Sequence, residues 1–433
     1  MGASGSGCPI GGAGRRHGRR RRRGSVYVVV LGAAMLVTVI GLGTWAVVRA
    51  QALTSDTLSD VAEARQCAVS AVELARLWIA QDPNWRTNRA NGVWAADQPL
   101  GQGKYTLEVV NPSGPLNNSE TDPVTVTATG VRGRARQKVQ VTLAPRVTPL
   151  TCLNAAVSSG GSIVLSAATL SGLNQTVASN AGVTAILAKV YANVEASGTI
   201  LGLTYYGTTK AGVPARALPN AGVFDYYLAR GTAIAITSLP LASGFRKITQ
   251  VVLSPACNPF GGATNAQGIY VIDCLGNNVD VVDCRIVGTL VLLNPGGGSL
   301  VQDSVNWCPA VSGFPCLLVK GAMSLKYKNA ALAEGGSLNY NPPGTPYPWP
   351  SGASNTTFTD TYPSRISGLV YISGNVTTAT YPTLGLLVCG GSLVSSNDLC
   401  LIYDPGYYRN PPPGFRTIQM VVAPGSFKQA VDP

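Results

Sequence analysis

Histidine is almost absent from this sequence of 433 residues: the only one is His17, inside an arginine-rich stretch near the N-terminus. The rest of the chain therefore lacks the residue needed for a Ser-His-Asp or Cys-His nucleophile, an HExxH site or a histidine-ligated metal. Cys-x-x-Cys spacing is also absent, so a structural zinc site has no support. The sequence predicts a protein that is not an enzyme and has no catalytic residues, metal or cofactor.

Charge is scarce too, since only 12% of the residues are Asp, Glu, Lys or Arg. The net charge of +12 is concentrated in seven arginines: Arg15, Arg16 and Arg19 to Arg23. More than half of the net charge thus belongs to one short run, and the remaining body is close to neutral. We therefore expect no nucleic-acid partner, although basic runs of this kind do bind nucleic acid in other contexts.

The arginine run directly precedes Ser25–Val48, a segment without any charged residue. About 20 apolar residues suffice for a helix to cross a bilayer. Arginines on the N-terminal side place that end in the cytoplasm, so the sequence predicts a single-pass protein of the inner (cytoplasmic) membrane with its body outside the cytoplasm. Ala50-Gln51-Ala52 also matches a signal-peptidase motif, and the mass of the mature N-terminus distinguishes an anchor from a cleaved signal.

No glycine or proline interrupts the chain between Trp45 and Gln81, and Pro83 follows. The pattern predicts one long helix, whose second half is amphipathic and packs on another element. The apolar stripe on that half consists of Leu58, Val61, Ala68, Val72, Ala75 and Ile79.

Period-2 alternation follows in Lys104–Val110, Val124–Thr129 and Gln137–Leu143, which predicts a small antiparallel meander against the helix. With this meander the pilin-like stalk spans residues 49–146, after a disordered basic tail (1–24) and the membrane helix (25–48). The C-terminal residues 417–433 are expected to form a tail.

Short apolar runs recur between residues 150 and 416. Similar phrases begin at Gly268 and Gly288, twenty residues apart, and at Gly368 and Gly385, seventeen apart. Such periods are typical of stacked coils. The expected fold is therefore mainly β: the long helix, the meander and a right-handed parallel β-solenoid as head. A β-sandwich of short strands is the structural alternative.

Eight cysteines fall in the predicted head, an even number that permits disulfides in an exported domain but does not require them. Buried free thiols are the alternative. The eight are Cys152, Cys257, Cys274, Cys284, Cys308, Cys316, Cys389 and Cys400.

Parallel β-helices often carry carbohydrate-active sites, which need two or more carboxylates at defined separations. The acidic residues in the candidate coils are Asp273, Asp280, Asp283 and Asp303, and Arg285 stands alone near them. Single carboxylates of this kind more often cap turns by bonding their own backbone.

Two loops rich in proline and aromatic residues, Asn339–Thr359 and Tyr403–Phe415, are candidate platforms for a surface glycan. Rings in such loops also serve to cover the end of a hydrophobic core.

The RRRGS junction, the apolar helix that continues as an amphipathic one, and the meander together resemble type IV pilin-like proteins, namely PilX-type minor pilins and tip pseudopilins. The resemblance covers residues 20–146. It implies cleavage by a prepilin peptidase after Gly24, with Ser25 as the new N-terminus. Most pilins carry Glu at the fifth mature position, where this chain has Val29. The rest resembles solenoid heads of bacterial membrane-anchored proteins, on the phrases GIYVIDC, RIVGTLVLLNPG and PSRISGLVYISG.

The sequence thus predicts a non-catalytic structural or adhesive protein of the cell envelope, with membrane lipid and other pilin-like subunits or a secretion or pilus platform as partners. A surface protein that acts on or binds carbohydrate is the alternative function, with a surface glycan as partner. A tethered scaffold that polymerises by end-to-end stacking of solenoids is a third hypothesis.

Overall fold

The computed structural model describes residues 24–202, 204–344 and 354–430. They form a long N-terminal helix and a body that is mainly β, so the expected fold class is confirmed. The arginine run and the proposed basic tail lie outside the described residues. The chain divides into two compact units, the first made of residues 24–145 and 420–430 and the second of residues 146–419.

Unit 1 contains the helix α1, the short helix α2 and an antiparallel sheet in the order β1-β2-β3-β4-β29, with β30 also paired to β4. Strands are numbered in chain order. The bounds are α1 Gly24–Gln81, α2 Trp85–Asn88, β1 Gly92–Leu100, β2 Gly103–Val110, β3 Val124–Arg132, β4 Ala135–Pro149, β29 Arg416–Val422 and β30 Lys428–Ala430.

The last residues of the chain return to the first sheet: β30 pairs with β4, matching Lys428 to Gln140. The sequence division, which made residues 417–433 a tail, missed these strands because their partner lies nearly 300 residues earlier. Unit 2 is therefore inserted in the chain between two strands of one sheet.

One face of α1 packs on this sheet. Ala68, Ala71, Ala75 and Ile79 are buried in a cluster with apolar residues of β2, β3 and β4. Small residues allow a close approach: a Cβ on Gly130 of β3 would overlap the carbonyl oxygen of Ala64. The predicted stripe is confirmed for this half of the helix.

The N-terminal part of the stripe was predicted wrongly. Leu58 is 66% exposed and Val61 is 40% exposed, because the packed part of the helix begins only at Ala64. Every described side chain from Val26 to Ser59 is exposed as well.

Unit 2 is a parallel β-solenoid built from 24 of the strands, with the helices α3 (Asp225–Arg230) and α4 (Gly406–Arg409) on its outside. The strands are β5 Val157–Ser159, β6 Ile163–Ser166, β7 Thr169–Ser179, β8 Val183–Ile186, β9 Lys189–Ala196, β10 Ile200–Leu201, β11 Thr209–Ala211, β12 Thr232–Ala233, β13 Leu241–Ala242, β14 Phe245–Thr249, β15 Val252–Leu253, β16 Ile269–Asp273, β17 Val279–Val287, β18 Thr289–Leu293, β19 Leu300–Cys308, β20 Pro315–Lys320, β21 Met323–Tyr327, β22 Leu332–Ala333, β23 Thr361–Tyr362, β24 Arg365–Ile372, β25 Val376–Thr378, β26 Thr383–Cys389, β27 Leu393–Ser395 and β28 Leu399–Leu401. Strands β22 and β23 pair with each other outside the solenoid.

The glycine spacing read from the sequence corresponds to stacked coils. Gly288 lies over Gly268 and Gly385 over Gly368, so closely that an added Cβ would meet backbone atoms of the partner. The solenoid prediction is therefore confirmed over the sandwich.

The coils do not stack in chain order. From β5 the chain builds β7, β9 and β11 towards one end, and then resumes with β12 and β16 at the other. Successive coils lead back to β26, β27 and β28, which pair in parallel with β5, β6 and β7. The last coil in sequence therefore stacks on the first.

Two hydrophobic layers hold unit 2 together. Inward side chains such as Tyr270, Trp307 and Tyr327 fill the solenoid. Outward side chains of one face, Leu369 and Leu386 among them, are covered by residues that include Tyr227 of α3, Tyr407 of α4 and Phe415.

Candidate functional site

The helix α1 contains one segment, starting at Val26, that is long and apolar enough to cross a membrane by length and composition. None of that span is buried within the structure. The helix already begins at Gly24, so the predicted processing site, Gly24–Ser25, lies at its first residues. A single apolar N-terminal helix of this kind is compatible with a membrane anchor or a signal sequence.

The helix remains uncovered for more than a dozen residues beyond this span. Leu53 is 59% exposed and Leu58 66% exposed, with Ala50 and Thr54 between and beside them. At 1.5 Å per residue, the stretch from Arg49 to Val61 extends about 20 Å past the apolar span. It is an apolar surface outside the lipid that no described residue of the chain contacts through packing.

The acidic residues predicted as candidates all have structural partners. Asp280 is buried, and its carboxylate contacts Lys247 Nζ at 3.3 Å and accepts from Gln302 Nε2 at 2.8 Å. Asp303 forms an ion pair of 2.6 Å with Lys328.

The other two serve turns, as the alternative interpretation held. Asp273 accepts a hydrogen bond from the backbone N–H of Leu275. Asp283 lies at a corner with a φ of 44° and accepts from the N–H of Ser304 in the next coil, while burial raises the pKa of its carboxyl group. The arrangement supports turns and coil stacking.

Arg285, the isolated cation of the sequence, is buried under the loop that follows β21. Its Nη1 donates to the carbonyl oxygen of Tyr340 at 2.8 Å, and its guanidinium lies 4.9 Å from the ring centroid of Tyr362. Glu334 anchors the same loop by accepting from Tyr362 Oη and from the backbone N–H of Tyr340. This polar cluster was not predicted, because its members are scattered over nearly 80 residues.

The aromatic loops have different fates. Within Tyr403–Phe415, Tyr407 and Phe415 are buried in the outer hydrophobic layer, so these rings cover a core. Residues 345–353 of the other loop lie outside the described residues. Its described part buries Tyr340 against Leu332 and Val252.

All nine cysteines in the described residues are free thiols, and no pair of them forms a disulfide. Burial raises the pKa of Cys152 and of Cys274 to about 12, and that of Cys389 to about 11. Burial also raises the pKa of Cys284 and Cys316 strongly. Because the thiolate is the reactive form, these side chains are poor nucleophiles and poor metal ligands.

We expect alkylation of the native protein at pH 8 to be slow at these positions. A thiol of pKa about 11 is ionised in roughly one molecule in a thousand at that pH. Iodoacetamide labelling followed by peptide mass spectrometry should modify the partly exposed Cys257 and Cys400 first, and Cys284 and Cys316 only after unfolding. Rapid native labelling of Cys316 would contradict this packing.

No group of three or more His, Cys, Asp or Glu side chains that could hold a metal ion occurs within residues 24–202, 204–344 and 354–430.

A surface cleft of 240 Å³ lies on the solenoid where β24 and β26 turn a corner. We call it the Arg365 cleft; its polar lining and floor are Arg365, Ser367, Gly368, Thr383, Gly385 and Asp404. The sequence offered only the glycine spacing as a signal for it, because the polar residues come from three separate strands and a loop.

Comparison with known proteins yields structural likenesses alone. No family model matches the chain, and no curated protein matches it. The competence-associated pilin ComZ from Thermus thermophilus is similar with a TM-score of 0.31 and 10% identity, over 86% of this chain and 98% of that one.

Two ice-binding proteins are similar over 59% of this chain. That from the Antarctic ascomycete Antarctomyces psychrotrophicus has a TM-score of 0.24, 11% identity and full coverage of its own chain, 100%. The DUF3494 domain of ice-binding protein 1 from Shewanella frigidimarina has a TM-score of 0.22 and 13% identity, with 98% of its chain covered. Because these TM-scores are low, we base our proposals on the contacts of this chain.

Proposed function

We propose that this protein is a non-catalytic, membrane-anchored subunit of a pilus-like assembly in the cell envelope. The observation that carries the proposal is the continuity of α1, which joins an apolar span to a half packed on the sheet without a break between Gly24 and Gln81. The first part would lie in the lipid of the cytoplasmic membrane, with the arginine run on the cytoplasmic side and both β units outside.

The uncovered stretch of α1 supports assembly with neighbouring subunits. A lone helix that exposes leucines to water gains from packing, since full burial of one leucine contributes about 1.5–3 kcal/mol. The occupant we propose is the corresponding helix of other pilin-like subunits. Those helices would run through the same membrane and emerge beside this one, so their apolar faces would already be at the same height.

The contacts of the acidic residues support a non-catalytic role. A glycosidase needs two carboxyl groups free to face a substrate. Here Asp280 is buried against Lys247, and Asp303 is paired with Lys328. Binding of carbohydrate without catalysis is a separate matter.

Co-purification of the full-length protein from membranes tests the assembly. We expect the double variant Leu53→Ser, Leu58→Ser to lose about tenfold or more of its association with pilin-like subunits, because two buried leucines are removed from the interface. Membrane retention and thermal unfolding should not change. Crosslinking followed by mass spectrometry identifies the partners.

Leu77→Ser is the matched control. Leu77 is 48% exposed on the packed part of the same helix, so its replacement should leave the association intact. A wild-type protein that is strictly monomeric in the membrane would count against the proposal, as would an equal loss in the control variant.

A further inference from the structure

We propose that the Arg365 cleft binds an acidic sugar, a pyranose ring that carries a carboxylate. The inference deepens the proposed function, since it rests on the solenoid being exposed outside the cell, and it names what the solenoid presents a site for. The cleft lies entirely within unit 2.

The first reason is an unsatisfied cation. Arg365 is half-buried, and its Nε is inaccessible to solvent without accepting a hydrogen-bond partner among the described residues. No described carboxylate lies within ion-pair distance of its guanidinium, whereas Arg132 and Arg216 each have one. A partly desolvated, unpaired charge is costly, and the planar guanidinium matches a carboxylate with two parallel hydrogen bonds.

The second reason is a floor without side chains. Gly368 and Gly385 stack at this corner, where a Cβ on Gly368 would lie 2.5 Å from Cys316 Sγ and 2.9 Å from Tyr407 Oη. Both positions are therefore closed to any larger residue by backbone and by buried groups. The resulting depression lets a ligand approach the main chain closely.

The third reason is the set of free polar groups on the walls. Ser367 is exposed, and its hydroxyl bonds to no described residue. Asp404 uses one oxygen, Oδ1, to accept from the backbone N–H of Gly406 at 2.7 Å, which orients the carboxylate and leaves the other oxygen open. A hydroxyl donor and a fixed carboxylate acceptor suit neighbouring hydroxyl groups of a sugar.

The size and the apolar edge fit one ring. At 240 Å³ the cleft is smaller than the roughly 300–1,000 Å³ of sites for drug-sized ligands. Ile402, which is 51% exposed, borders it and offers an apolar surface for the C–H face of a pyranose. In this arrangement Arg365 binds the carboxylate, while Ser367 and Asp404 bind ring hydroxyls.

Binding of methyl β-glucuronide and methyl β-glucoside to the full-length protein in detergent tests the proposal, because the two probes differ only in the carboxylate. Titration calorimetry or saturation-transfer NMR should show the glucuronide binding with a Kd on the order of millimolar and the glucoside at least tenfold more weakly. Arg365→Gln should weaken glucuronide binding about tenfold or more, and Ser367→Ala less.

Lys320→Gln is the matched control for Arg365→Gln, since it removes the same charge from an exposed position of the neighbouring coil. It should bind the glucuronide like the wild type. All variants should keep the wild-type melting temperature, because Arg365 has no structural partner to lose.

Three outcomes overturn the proposal: no binding of either sugar, equal binding of both, or unchanged binding in Arg365→Gln. Acetate that competes as well as the glucuronide would reduce the cleft to a general anion site, which also contradicts it. Arg365→Gln should assemble normally, and Leu53→Ser, Leu58→Ser should bind the sugar normally. A failure of the site is thereby distinguished from a failure of the assembly.

Discussion

A single added methyl group at Gly288 should destabilise the solenoid more than most surface substitutions can. In Gly288→Ala the new Cβ overlaps the carbonyl oxygen of Gly268 in the coil below, and the residue keeps a φ of 156° that side chains disfavour. Positive φ costs about 1–3 kcal/mol and overpacking about as much again. We expect unit 2 to lose roughly 3 kcal/mol or more of unfolding free energy, and to melt about 6 °C or more lower.

Gly297→Ala is the control, because Gly297 belongs to the turn after the same coil and a Cβ there meets no atom within 4 Å. Its effect should stay within about 0.5 kcal/mol. Circular dichroism during heating, or differential scanning calorimetry of the full-length protein, measures both. Equal melting temperatures for the two variants would mean that Gly268 and Gly288 do not stack.

This stacking is the part of the fold that the sequence predicts best. Each coil needs a tight corner at the same place, so glycine recurs with the length of a coil, and the pairs Gly268–Gly288 and Gly368–Gly385 disclose both the corner and the period. The inner half of the helix is equally readable. Ala68, Ala75 and Ile79 recur at helical spacing and are buried.

Features set by distant partners are not readable in this way. Strand β1 was missed because its polar residues and its irregular pairing with β2, where Asp97 has a φ of 48°, hide the alternation. The Arg365 cleft joins strands β24 and β26 with Asp404 from the following loop, and no local pattern marks that meeting. The order of the coils is likewise invisible, since each coil looks alike whichever neighbour it stacks on.

The joint between the last coil and the first is where the second large effect is expected. There Leu387 of β26 pairs with Val157 of β5, across 230 residues of chain, and both side chains are fully buried. Leu387→Asp removes a buried leucine and places a carboxylate in the core without a partner. Together these changes cost more than about 5 kcal/mol, comparable with the whole stability of an ordinary domain.

Val394→Asp distinguishes the joint from a general effect of added charge. Val394 lies in β27 of the same coil, but it is 40% exposed, so its replacement should cost less than about 1 kcal/mol. Limited proteolysis and calorimetry of the two full-length variants compare them directly. Similar protection of both would show that the last coil is not closed against the first.

The reason this joint is critical lies in how the ladder is made. Parallel strands elsewhere in unit 2 pair with neighbours about twenty residues away, and each such coil closes a short loop. The pairs Leu387–Val157, Leu393–Ile163 and Leu399–Leu170 instead close the longest loop in the solenoid. Loop closure becomes slower and entropically more costly with length. We therefore expect Leu387→Asp to slow refolding of unit 2 as well as to destabilise it, whereas Gly288→Ala should act within a locally closed coil and mainly accelerate unfolding.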